Sequence, residues 1–134
     1  MAKGRDKHQE RHHGLSLYGK DLVRRCAAHC ELCNSSGRPL EIFEVPPVPV
    51  DPDFSHCLMI CAECKGQIDK PKRLNADHWR CLNQTMWSEV EAAKVTAIVL
   101  LKQLEQTESW AQELLEIAYL SPSEEEWVNA WKLI

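Results

Sequence analysis

The longest unbroken apolar run in this sequence is six residues, Cys57 to Ala62, far short of the roughly 18 that a membrane-spanning helix needs. No segment is expected to cross a bilayer. The opening MAKGRDKHQERHHG is basic but has no apolar stretch behind it, so a secretory signal is not expected and a cytoplasmic location is. Glycine is scarce, five in 134 residues. No glycine-rich loop offers a phosphate cradle, and no arginine cluster offers a bidentate anion site. No internal repeat is visible.

Cysteine, by contrast, is plentiful. Seven is an odd number, and four of the seven fall into two C-x-x-C pairs, Cys30/Cys33 and Cys61/Cys64. In a chain without an export signal this pattern points to thiolate metal ligands rather than disulfides. One C-x-x-C alone would read as a redox dithiol. Two pairs separated by 27 residues supply instead the four soft ligands of a tetrahedral Zn2+ site, each turn placing two sulfurs on one edge. Four thiolates around Zn2+ give a formal charge of −2 and leave no open position for water, so one structural zinc is expected and a catalytic one is not. Cys26, Cys57 and Cys81 lie outside the paired spacing and read as small buried apolar residues. Of these, Cys57 is the first substitute if a predicted ligand is replaced.

The formal charge of −4 is unevenly spread. Residues 1–30 carry seven Lys/Arg against three Asp/Glu, residues 31–83 six against eight, and residues 84–134 three against nine. A basic leading segment, joined by Lys70, Lys72 and Arg73, suits nucleic acid. The acidic end suits a protein partner. Arg24, Arg25, Lys65, His78 and Arg80 are the candidate nucleic-acid or anion contacts. His78-Trp79-Arg80 combines an acid-base group, a stacking surface and an anion ligand; its plainer reading anchors Trp79 in the core.

Residues 1–15 read as a disordered basic arm. Apolar positions in residues 16–29 recur at three- and four-residue intervals, as in a short amphipathic helix. Leu40 to Val45 alternates as a strand, and Cys57 to Ile60 can pair with it. Between them Val45-Pro-Pro-Val-Pro-Val-Asp-Pro predicts a stiff extended connector. Residues 65–83 read as polar and irregular. Three helices then follow: one capped by Thr85 and running to Leu104, one over residues 108–120, and one entered through Ser123 and Glu126 at capping-box spacing. Four of the five tryptophans lie in residues 84–134, which places much of the apolar core there; Trp127 and Trp131, four apart, read as core.

From Tyr18 to Val45 the chain contains Arg-Cys-x-x-x-Cys-Glu-Leu-Cys and then Leu-Glu-Ile-Phe-Glu-Val-Pro-Pro-Val. Asp77-His-Trp-Arg-Cys-Leu-Asn83, Met86-Trp-Ser-Glu89 and Glu108-Ser-Trp-Ala-Gln112 follow. These segments resemble the PhnA family with its N-terminal proteobacterial zinc ribbon, over nearly all of the chain after residue 15. The family's alkylphosphonate-operon label implies an accessory role in phosphonate metabolism. A looser resemblance is to the treble-clef scaffold of HNH endonucleases, which implies a divergent metal-dependent nuclease as the alternative, with Glu44 as base and His56 or His78 as metal ligand. The sequence departs from that pattern where a histidine base would stand, reading Ile42-Phe43-Glu44-Val45, and at Lys65 after Cys64.

The expectation is therefore an α+β protein. A treble-clef or zinc-ribbon module with a β-hairpin (16–82) packs against a helical region (83–134) as one unit. It is read as a non-enzymatic zinc protein that contacts nucleic acid or another protein.

Overall fold

The computed structural model describes Arg11 and residues 13–133. Most of the expected basic arm lies outside the described residues; Arg11 and residues 13–16 are helical. Helix α1 (Gly19–Cys26) buries Leu22 and ends where Ala27 and Ala28 both adopt left-handed backbone, with φ of 52° and 60°. That pair of residues turns the chain into Cys30.

Strands β1 (Leu40–Glu44) and β2 (Cys57–Cys61) form an antiparallel hairpin in which Leu40 faces Cys61 and Glu44 faces Cys57. Every residue of β2 is buried. Side chains alternate across a strand, so Leu58 and Ile60 enter the main core while Cys57 and Met59 meet Leu22 of α1 on the other face.

The proline-rich connector between the strands is pinned by its own carbonyls. Arg11 donates to the carbonyls of Pro49 (2.9 Å) and Val50 (2.8 Å), the Tyr18 hydroxyl to Pro52 (3.0 Å), and the Trp127 indole to Pro46 (2.9 Å). Proline lacks an amide to donate, so side chains from three other places hold the loop.

Cys61 begins helix α2 (Ala62–Ile68), and 310 turns follow at Pro71–Arg73 and His78–Cys81. The stretch from 65 to 83 is thus more ordered than its polar composition predicts. Trp79, fully buried, donates from its indole to Gln67 Oε1 at 2.7 Å and ties the segment to α2.

The helical region starts with a short α3 (Leu82–Thr85), then α4 (Glu91–Leu104), α5 (Ser109–Ile117) and α6 (Pro122–Ala130). Two expected caps move. Thr85 does not start the long helix; it is buried, and its hydroxyl donates to the Leu32 carbonyl at 2.6 Å. Helix α4 begins six residues later, at Glu91, preceded by Val90. The last capping box uses Ser121 and Glu124 rather than Ser123 and Glu126. Pro122 then occupies the first helical turn, where a missing amide proton is harmless, and Glu124 reaches Lys94 of α4 at 2.9 Å.

Helix α4 is buried almost all round, through ten residues including Val95, Ile98, Leu100 and Leu101. Such a helix forms the centre of a core rather than one wall of it. The apolar cluster around it is continuous with Cys30, Cys61 and Cys64 of the cysteine module, and Trp131 joins it at the far end. Among the described residues no helix is long and apolar enough to cross a membrane.

Candidate metal centre

The first cysteine pair lies on the loop after α1. Cys30 accepts the Cys33 amide on its sulfur (3.5 Å), while its carbonyl accepts the Asn34 amide (2.8 Å). Asn34 closes the turn with φ of 64°, a conformation asparagine tolerates better than most residues. The second pair is placed by secondary structure: Cys61 ends β2 and Cys64 falls in the first turn of α2. The Cys61 amide donates to Cys30 Sγ at 3.4 Å and links the two pairs.

All four Sγ atoms lie within 4.8 Å of one another. The Cys30–Cys64 and Cys33–Cys61 separations are both 3.7 Å. A regular tetrahedron with metal–sulfur bonds of about 2.3 Å has edges of about 3.8 Å, so these two opposite edges already have the length a cation requires. They are far too long for disulfides, whose sulfurs sit about 2.05 Å apart. Cys30, Cys61 and Cys64 are buried and Cys33 is half-buried. The donor set fits one tetrahedrally held metal ion.

The thiols differ electrostatically. The hydrogen bond between Cys30 and Cys64, helped by backbone amides, draws Cys30 down to about 4. Its partner Cys64 is pushed far up by that same bond and by burial. Burial also raises Cys33. Four sulfurs so close together, three of them buried, cannot all ionise without a cation among them, which is the condition a bound metal removes.

Burial pushes Cys57 up to about 11 and Cys81 up to about 12, which keeps both as thiols at neutral pH. Cys57 lies four strand residues from Cys61, about 13 Å along β2, and its sulfur faces the Asp53 carbonyl at 3.3 Å. Cys26 lies against the Val23 carbonyl. None of the three belongs to the four-sulfur cluster.

The candidate contact residues do not form one surface patch of free cations. Arg25 is a half-buried bidentate partner of Glu31 (2.7 and 2.8 Å) and also donates to the Cys57 carbonyl. Lys65 pairs with Asp69 at 2.8 Å, and Arg80 stacks over the Trp110 ring at 4.8 Å. Arg24 is exposed, 4.0 Å from Asp21. His78 sits against the metal centre itself, its Nε2 3.3 Å from Cys64 Sγ, and burial lowers its pKa. No sequence pattern singled out that contact, because His78 is 14 residues from Cys64 and reaches it only after the chain folds back over α2.

No protein-family model matches this chain, and no curated protein or solved structure matches it significantly. Fold and site together define a small α+β protein with a four-cysteine, single-metal module built on a β-hairpin.

Proposed function

We propose that this chain is a non-enzymatic structural-zinc protein of the PhnA kind, whose metal module supports a surface for nucleic acid. The observation that carries the structural role is the saturated donor set: four sulfurs within 4.8 Å, three of them buried, leave no coordination position for substrate or water. An all-sulfur tetrahedron suits zinc or iron. The two paired C-x-x-C turns favour zinc.

The nuclease alternative would need Glu44 and either His56 or His78 free for catalysis. Glu44 is ion-paired with Arg11, the His56 ring packs on Trp127 with centroids 4.3 Å apart, and His78 faces Cys64. All three side chains have structural partners, which supports the non-enzymatic reading.

For nucleic acid, the cations that support the reading are Lys70, Lys72 and Arg73. They are exposed in and beside one 310 turn, and no carboxylate among the described residues pairs with them. Three phosphate contacts on duplex DNA would give a log–log salt slope of about −2.7. Elemental analysis of untagged protein should return one zinc per chain; a red chromophore would mean iron. Binding to mixed-sequence DNA and RNA should weaken with salt at roughly that slope and vanish in a Lys70→Glu, Lys72→Glu, Arg73→Glu variant. Binding unchanged in the triple variant, or absent from the parent chain, would remove the nucleic-acid reading and leave a protein partner.

A further inference from the structure

We infer that His78 is a working part of the metal centre: its Nε2–H donates a hydrogen bond to the metal-bound Cys64 thiolate and holds that sulfur in place. The inference rests on the reading of the four cysteines as a metal centre and deepens it.

The contact is 3.3 Å between Nε2 and Sγ, with Cys64 fully buried. A thiolate bound to a metal carries no proton, so any hydrogen bond in this contact must take its proton from the imidazole. The ring does not arrive there by chance. His78 opens the 310 turn His78–Cys81, its amide donates to Asn75 Oδ1 at 3.3 Å, and its ring stands edge-on to the buried Trp79 at 4.7 Å. Trp79 is in turn bound to Gln67 of α2, the helix that carries Cys64. Ligand and donor are therefore positioned by one element.

The distribution of donors gives the contact a purpose. Cys30 receives backbone amides from Cys33 and Cys61, and Cys33 lies 3.1 Å from the Ser35 hydroxyl. No backbone amide among the described residues donates to Cys64. His78 supplies what the backbone does not. It lies outside the set of atoms all within 4.8 Å of one another, so it acts on a ligand and is not one. Partners of this kind set ligand orientation and drain charge from the centre, and losing one typically lowers metal affinity 10- to 100-fold.

The test uses the full chain loaded with one equivalent of Zn2+ or Co2+. Long-range proton–nitrogen spectra of the zinc form should show His78 protonated at Nε2. Chelator competition should show His78→Phe binding zinc 10- to 100-fold more weakly than the parent, with His78→Gln, which restores an N–H at similar reach, recovering much of the loss. The sulfur-to-cobalt charge-transfer band should shift in His78→Phe and return towards the parent position in His78→Gln. A His78 ring protonated only at Nδ1, or affinities within twofold across the three proteins, would overturn the inference while leaving the metal centre standing. A parent chain with no sulfur-to-cobalt band would remove the metal reading and this inference with it. Thermal unfolding of the loaded variants separates loss of the donor from loss of the fold: a His78→Phe chain that binds weakly and unfolds like the parent supports the inference, and one unfolded even when loaded, while His78→Gln folds and binds like the parent, supports it equally.

Discussion

The cysteine module and the helical region reach order by different means. Residues 30–81 contain two five-residue strands, one seven-residue helix and three 310 turns, and an isolated two-stranded hairpin is marginal in water. Residues 91–130 contain three helices, the first buried through ten of its residues. One region is organised around four sulfurs, the other around apolar area. Yet Cys30, Cys61 and Cys64 belong to the same apolar cluster as Ile98, Leu100 and Leu101. The metal centre is thus one end of a common core, and the two means of stabilisation are joined at β2, whose alternate residues face α1 on one side and the main core on the other.

The largest expected effect follows from removing the metal. Structural zinc contributes on the order of 10–16 kcal/mol in small zinc-finger peptides, more than the whole stability of many domains. Chelation, or Cys61→Ser with Cys64→Ser, should abolish amide-exchange protection across β1, β2 and α2. Because α4 packs on β2, protection in α4 should fall as well. Full protection of α4 with an unprotected hairpin would break the idea of a common core and make the regions independent. Unchanged protection of the hairpin itself would remove the structural role of the metal.

Next in size is the core of α4. Leu100 is fully buried, and Leu→Ala at such sites costs about 2–5 kcal/mol. Urea unfolding of cobalt-loaded Leu100→Ala should show that loss as a single transition seen equally by tryptophan fluorescence and by Co2+–thiolate absorbance. Two separate transitions would argue against cooperative coupling of the regions.

The elements of this fold that could be read from sequence are those fixed by local pattern. The hairpin followed from alternation in Leu40–Val45 and the apolar run at Cys57, and the metal cluster from C-x-x-C spacing, because both are short-range rules of geometry. What was not legible depends on distant partners. Thr85 has the composition of an N-cap, but a carbonyl 53 residues away, that of Leu32, takes its hydroxyl. Ser121-Pro-Ser-Glu-Glu-Glu contains two Ser-x-x-Glu registers, and Lys94 of another helix pairs with the glutamate of the first. Pro122 was the available local signal, since proline favours the first helical position. Arg25 and Lys65 looked like free cations, whereas Glu31 and Asp69 occupy them. Charge counted along a chain does not reveal which charges face each other.

Glu124 offers a smaller, pH-dependent test of the helical region alone. Burial opposes its ionisation, but hydrogen bonds from the Ser121 amide and Lys94 outweigh it, so its pKa lies below the ordinary 4.5. A carboxyl with a lowered folded pKa stabilises the protein fully above about pH 4.5 and loses that contribution as pH falls through the folded value. Glutamine can keep the capping box while removing the charge. Glu124→Gln should therefore lower stability by about 1–2 kcal/mol at pH 7, a gap that closes as the pH is taken below 4.5. A gap that persists in acid would assign the effect to packing rather than to the Lys94 pair.

The smallest expected change has the opposite sign and belongs to the cysteine module. Ala28 is exposed, with φ of 60°. A left-handed conformation costs an alanine roughly 1–2 kcal/mol. Glycine avoids that strain but adds about 0.4–1 kcal/mol of unfolded-state entropy to be overcome. The difference favours Ala28→Gly by about 0.5 kcal/mol, since no buried contact of the methyl is lost. If the turn strains the approach to Cys30, the same substitution should also speed zinc uptake by the metal-free chain, measured by stopped flow. Greater stability with unchanged uptake would locate the strain in the backbone alone, whereas lower stability would mean that the left-handed pair Ala27 and Ala28 is held by its surroundings rather than endured.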